Sequence, residues 1–68
     1  MGRLFEEWRR LRDQAGELLY LVAKARRLGR GAEARRVYEE WRSEKIGFEE
    51  AKKRLERLLA EARAAARA

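Results

Sequence analysis

The stretch "LFEEWRRLRDQAGELLYLVAKARRL", residues 4–28, decides the fold. Apolar or small residues stand at positions 4, 8, 11, 15, 18, 22 and 25, so the spacing alternates four and three. That alternation keeps one stripe on one side of an α-helix, as in a heptad seam. The spacing predicts a single long helix. Gly16 lies inside it and costs about 1 kcal/mol relative to alanine. The seam holds its register across Gly16, which favours continuity; a break at "QAG" (14–16) is the alternative.

The same stretch carries more apolar residues than one seam needs. With about 100° of turn per residue, Leu21 and Leu28 flank the seam on one side and Leu19 on the other. Tyr20 points almost directly away. It has company, because Gly16, Leu19, Tyr20 and Ala23 are themselves spaced i, i+3, i+4, i+7. Phe5, Arg9, Arg12 and Arg27 extend this second stripe. Two readings follow. In one, Leu19 and Leu21 are shoulders tucked under neighbouring helices, and Tyr20 is an isolated surface aromatic of a kind that needs no explanation. In the other, the stripe is a contact face. Gly16 and Ala23 would then let a second backbone approach, with Tyr20 as the anchor between them. Gly16 favours the contact face, since its local cost is otherwise uncompensated.

"GRG" (29–31) ends the first helix, glycine being suited to a left-handed C-cap. Ala34, Val37, Tyr38 and Trp41 then form a second helical face that fades at "SEKIGF" (43–48). Gly47 is placed as the next N-cap, with Glu49 and Glu50 in the first turn, where carboxylates suit the helix dipole. Phe48, Ala51, Leu55, Leu58, Leu59, Ala62, Ala65 and Ala66 make the third face. Glu50–Arg54, Arg35–Glu39 and Arg36–Glu40 are among the i, i+4 pairs that support these helices. The expectation is an all-α three-helix bundle with one long N-terminal helix and a short middle helix. It forms a single domain over residues 1–68, with helices at about 3–28, 32–43 and 48–66.

The lengths carry a further expectation. A middle helix of about 12 residues spans roughly 18 Å, against roughly 39 Å for the first. Turning back from Gly29, it reaches only to about Gly16. Leu4, Phe5, Trp8 and Leu11 then lose their cover unless "SEKIGF" descends far enough to close the gap. An uncovered cluster of that kind marks an interface.

Composition excludes most catalytic chemistry. The 68 residues contain no His, Cys, Pro, Asn or Thr, and carry a net charge of +6. Zinc ligation and nucleophile–base pairs need His or Cys, so no metal, no cofactor and no enzymatic activity is expected. The glutamates read as solvated faces balanced by arginine. No apolar run is long enough to span a bilayer, and "MGRLFEEW" lacks the apolar core of a signal peptide. The chain therefore reads as soluble, with no compartment indicated.

The run "KARRLGRGAEARR" (24–36) surrounds a tight turn. Lys24, Arg26, Arg30, Arg35 and Arg36, with Arg27, could converge on phosphates or an acidic partner. The bland alternative is a charged helix end with arginines favourable near its C-terminus. The polar side chains that read bases are missing beside it, which argues against sequence-specific nucleic-acid recognition. Membrane-surface binding is weaker still, because a bundle core accounts for the apolar faces.

"GAEARRVYEEWR" and "FEEAKKRLERLLAEARAAARA", with the five missing residue types, resemble the text of computationally designed helical mini-proteins. Arg- and Glu-rich thermophile proteins are similar. The resemblance to designs implies a binder of a protein or helical peptide, and the net charge of +6 suggests an acidic one. Phe5, Arg9, Arg12, Gly16, Leu19, Tyr20, Ala23 and Arg27 are the expected contact residues. A self-associating homodimer that buries the first half of helix 1 is the alternative, and an electrostatic nucleic-acid binder the lesser one.

Overall fold

The computed structural model describes residues 2–67, with side chains from Leu4 onward. Three helices follow one another: α1 (Gly2–Arg27), α2 (Gly31–Arg42) and α3 (Phe48–Arg67). Each packs on the other two, and no strand occurs among the described residues. The all-α bundle with a long first helix and a short second is what the periodicity called for. α1 runs unbroken through Gly16.

The boundaries differ from expectation where backbone chemistry intervenes. Leu28 falls in the turn, and Gly31 already belongs to α2. The Arg30 N–H donates to the Ala25 carbonyl at 2.8 Å and the Gly29 N–H to that of Arg26 at 3.1 Å. This is a Schellman closure with Gly29 in the left-handed region at φ +81°. Gly31 is needed for another reason. A Cβ there would sit 3.2–3.3 Å from Arg26 Cγ, Cα and Cβ, so the start of α2 presses on the last turn of α1. α2 closes in the same way. The Lys45 N–H donates to the Glu40 carbonyl at 2.9 Å, the Glu44 N–H donates to Trp41 at 3.0 Å, and Glu44 takes φ +62°. Gly47 caps α3 as expected, its carbonyl accepting the Ala51 N–H at 3.0 Å.

The core is built from Leu18 and Ala25 of α1, Ala34 of α2, and Ala51, Leu55, Leu58, Leu59 and Ala62 of α3. Leu21, Val22, Val37, Tyr38, Trp41, Ile46 and Phe48 pack around it, partly buried. Small residues at 25, 34, 51 and 62 let the helices approach closely, while Leu18 and Leu55 fill the centre. No polar side chain is buried among the described residues. Ala65 and Ala66, expected on the third apolar face, are exposed, because α3 runs past the end of its cover. The same holds at the other end of the molecule, where Leu4, Trp8 and Leu11 of the seam face solvent.

Two ion-pair arrangements tie the helices at their surfaces. Lys52 Nζ lies 2.9 Å from Glu17 Oε1, joining α3 to α1. The hydrogen bond to Glu17 and its negative charge raise the Lys52 pKa above its ordinary 10.5. Arg54 reaches Glu40 at 3.1 Å and Glu50 at 3.0 Å, joining α3 to α2. Glu40 therefore serves Arg54 rather than Arg36, its expected i−4 partner. Arg35–Glu39 closes at 3.8 Å as the i, i+4 spacing suggests. Exposed pairs of this kind add little stability and act mainly on orientation.

The molecule measures 53 × 19 × 16 Å, with a radius of gyration of 13.4 Å. A compact chain of 68 residues would have about 11 Å. Its accessible surface is 5771 Å², where a compact 8.1 kDa protein would show about 4,500 Å². The excess of about 1,300 Å² goes with the elongated shape: α1 runs on beyond its cover at one end and α3 at the other.

Candidate functional site: the uncovered face of the first helix

α2 and its connection to α3 do not close the gap that the helix lengths imply. Leu4 stays 78% exposed, and Phe5, Trp8 and Leu11 stay at 56%, 57% and 56%. The two aromatic side chains have neighbours along the helix. The Phe5 and Trp8 rings lie 6.4 Å apart at a tilt of 36°. The Arg9 guanidinium sits 5.0 Å above Phe5 and that of Arg12 sits 5.5 Å from Trp8. Each pair is an i, i+4 neighbour on the helix, and each guanidinium is attracted to a ring face. The cations cap the rings without burying them.

Farther along α1, Leu19 and Tyr20 are also largely exposed, at 48% and 61%. Lys24 Nζ rests 4.7 Å above the Tyr20 ring. All eight residues of the second stripe (Phe5, Arg9, Arg12, Gly16, Leu19, Tyr20, Ala23 and Arg27) are at the surface. Leu21 packs on the core and Leu19 does not, so only one of the two expected shoulders is covered. A Cβ on Gly16 would meet no atom within 4 Å, so nothing in this chain requires a glycine there. A shallow depression between Leu19, Val22, Ala23, Arg26 and Arg27 continues the stripe toward the basic turn.

A concavity lies beside the uncovered half of α1. It is a groove of about 800 Å³. Trp8, Leu11 and Ala15 form one wall, and Tyr38, Trp41 and Ile46 form the other. The Tyr38 and Trp41 rings lie 5.7 Å apart at a tilt of 45°. Arg12, Arg42, Lys45 and Glu44 also line it. The sequence places Tyr38 and Trp41 on the core face of α2; both also line this groove, which the spacing does not indicate. The available signal was their size: an aromatic half covered by a core of alanines keeps a large free edge.

The basic turn is engaged locally. Arg30 pairs with Glu33 at 3.1 Å and Arg35 with Glu39 at 3.8 Å. Lys24 is turned to Tyr20, and the root of the Arg26 side chain packs beneath Gly31. Arg36 is exposed. The turn brings no metal-capable group together: among the described residues no three carboxylates cluster in a way that could hold a metal ion. No helix described here is long and apolar enough to cross a membrane. Comparison with protein-family models, with curated proteins and with solved structures found no match.

Proposed function

We propose that the chain is a non-enzymatic helical binding module that presents the uncovered face of α1 to a protein or helical peptide. One observation carries the reading. Leu4, Phe5, Trp8, Leu11, Leu19 and Tyr20 are exposed along a single helix, in a chain 44% charged whose other large apolar residues, Leu28 of the turn apart, are in or packed against the core among the described residues. The exposed residues fall on two stripes of α1, the uncovered end of the seam (Leu4, Trp8, Leu11) and the second stripe (Phe5, Leu19, Tyr20), and exposed apolar patches of this kind mark interfaces. The resemblance of the sequence to designed mini-proteins supports the same reading. Aromatic rings flanked by arginines are the side chains that dominate interface energetics.

A second reading is self-association through the first half of α1. The excess surface noted above favours it as much as a foreign partner, because a stable interface buries about 800 Å² per partner.

The test uses the purified chain. Tyr20→Glu and Phe5→Glu are expected to leave the melting temperature of the isolated protein within about 2 °C of the parent, as surface substitutions do. A large loss of stability in either variant would show that the face belongs to the fold. Sedimentation equilibrium separates the two readings, a monomer at high concentration excluding the homodimer.

A further inference from the structure

We infer that the groove between the first half of α1 and the end of α2 receives an amphipathic helix whose apolar edge is flanked by carboxylates. The inference rests on the reading of α1 as a partner-binding face, and it names the chemistry of the partner.

Shape argues for a helix. The groove is lined from two helices, by Trp8 and Leu11 of α1 and Tyr38 and Trp41 of α2, and by Ile46 of the connection to α3. Its walls are side-chain ridges, which accept the ridges of a third helix. No strand edge exists among the described residues, so an extended peptide has no backbone ladder to join. The uncovered part of α1, from Leu4 to Ala15, runs for roughly 18 Å. That suits about three turns of a partner helix with apolar anchors at i, i+3 or i+4, and i+7.

Charge argues for the flanks. Arg12, Arg42 and Lys45 line the groove with Glu44 as the one carboxylate, and Arg12, Arg42, Glu44 and Lys45 are exposed. None of the three cations forms a salt bridge with another described residue. Among the described residues salt bridges are made by the cations Lys52, Arg54, Arg30 and Arg35, so the three groove cations are unpaired like most others on this surface, and it is their grouping beside apolar side chains that sets them apart. The groove lining thus carries three cations to one carboxylate beside its apolar residues, Arg12 also lying 5.5 Å from the Trp8 ring. A second copy of the chain would bring its own +6 to those cations, and like charges across an interface oppose association. A helix with flanking glutamates neutralises them while its apolar edge covers Trp8, Leu11 and Trp41.

Both tryptophans of the chain line the groove, so its occupancy can be read from their emission. The probes are two synthetic helical peptides of about four turns, with the same leucine stripe and with either Glu or Lys at the flanking positions. Titration of the Glu-flanked peptide is expected to shift the emission to the blue and to saturate. The apparent affinity should fall at least about tenfold between low and moderate salt, as screening of the groove charges requires. The Lys-flanked peptide should leave the emission unchanged. The double variant R42E/K45E, on exposed positions, should reverse the preference.

Equal binding of the two peptides overturns the assignment of charge. A blue shift that grows with protein concentration alone overturns it in favour of a second copy. Binding of the Glu-flanked peptide that is abolished by Tyr20→Glu and leaves the tryptophans silent overturns the groove while the α1 face stands. Failure of both peptides to bind anywhere on a monomeric chain counts against both.

Discussion

Glu44 stands in the same relation to α2 as Gly29 does to α1. Each is the second residue beyond its helix, each lies in the left-handed region (φ +62° and +81°), and each donates its N–H back to the carbonyl three residues earlier. For glycine the conformation is free of strain. For glutamate the Cβ crowds the following carbonyl, at a cost of about 1 kcal/mol. Glu44 makes no ion pair with a described residue that would offset this. Glu44→Gly is therefore expected to raise stability by up to about 1 kcal/mol in urea denaturation. A loss of stability would mean that Glu44 contributes a contact outweighing its strain.

Gly16 and Gly31 respond to alanine with opposite signs. Open space surrounds the missing Cβ of Gly16, so Gly16→Ala gains helix propensity of about 1 kcal/mol at no steric cost. At Gly31 the new Cβ would press on Arg26 Cα and Cβ, which cannot give way without moving the last turn of α1. Gly31→Ala is expected to cost about 1 kcal/mol or more, as overpacking does. Paired thermal melts of the two variants check the contrast. Equal effects would show that the approach of α2 to α1 is looser than 3.2–3.3 Å implies.

Two leucines of one seam should behave as residues of different molecules. Leu18 is fully buried and Leu4 is 78% exposed. Leu18→Ala opens a cavity in the centre of the bundle and is expected to cost about 2–5 kcal/mol, enough to unfold much of the population. Leu4→Ala should change the stability of the monomer by less than about 0.5 kcal/mol. Circular dichroism melts at low protein concentration measure both. A strong effect of Leu4→Ala that appears only at high concentration would identify a second copy as its cover.

The Glu17–Lys52 pair carries a pH signature. The Lys52 pKa is raised in the folded chain by its hydrogen bond to Glu17 and the nearby negative charge. Its contribution is therefore fully present below the ordinary lysine value of 10.5 and is lost as pH climbs through the raised, folded-state value. Glu17→Gln should be less stable than the parent near neutrality. The two should converge once Lys52 is deprotonated, which denaturation curves at stepped alkaline pH would show. A difference that persists unchanged would place the role of Glu17 elsewhere.

Much of this fold is legible in the sequence because it depends on period and length. The four–three spacing from Leu4 to Ala25 carries α1 across Gly16, and the short span between Gly31 and Arg42 implies that the early turns of α1 lack cover. Bundle hand is a different matter. Leu19 and Leu21 flank the seam symmetrically on a helical wheel, and only the side on which α2 and α3 settle makes Leu21 a core neighbour and leaves Leu19 exposed. The groove depends on the same choice, since Trp8 comes to line it with Trp41 and Ile46 through a helix arrangement that no local pattern encodes. The end of α2 was hard to read for a local reason: a glycine marks a left-handed cap, and at position 44 a glutamate stands in its place. The basic turn looked convergent along the chain, but Arg30 and Arg35 find glutamates on their own helix three and four residues away, and that proximity wins.

The overhang of α1 gives one helix two thermodynamic lives. Starting a helix in water is the costly step, and extending it is nearly free. The bundle performs the first step at Leu18 and Ala25, so the turns from Leu4 to Leu11 persist by propagation alone. Their backbone amides should exchange with solvent by fraying from the N-terminus, far faster than those beside Leu18, with no unfolding of the bundle. A partner that docks on these turns meets a helix already started, and the small residual cost of holding it straight is all that separates the free overhang from the bound one. Protection of the early amides would then report occupancy, while protection of the later ones reports folding, along a single uninterrupted element.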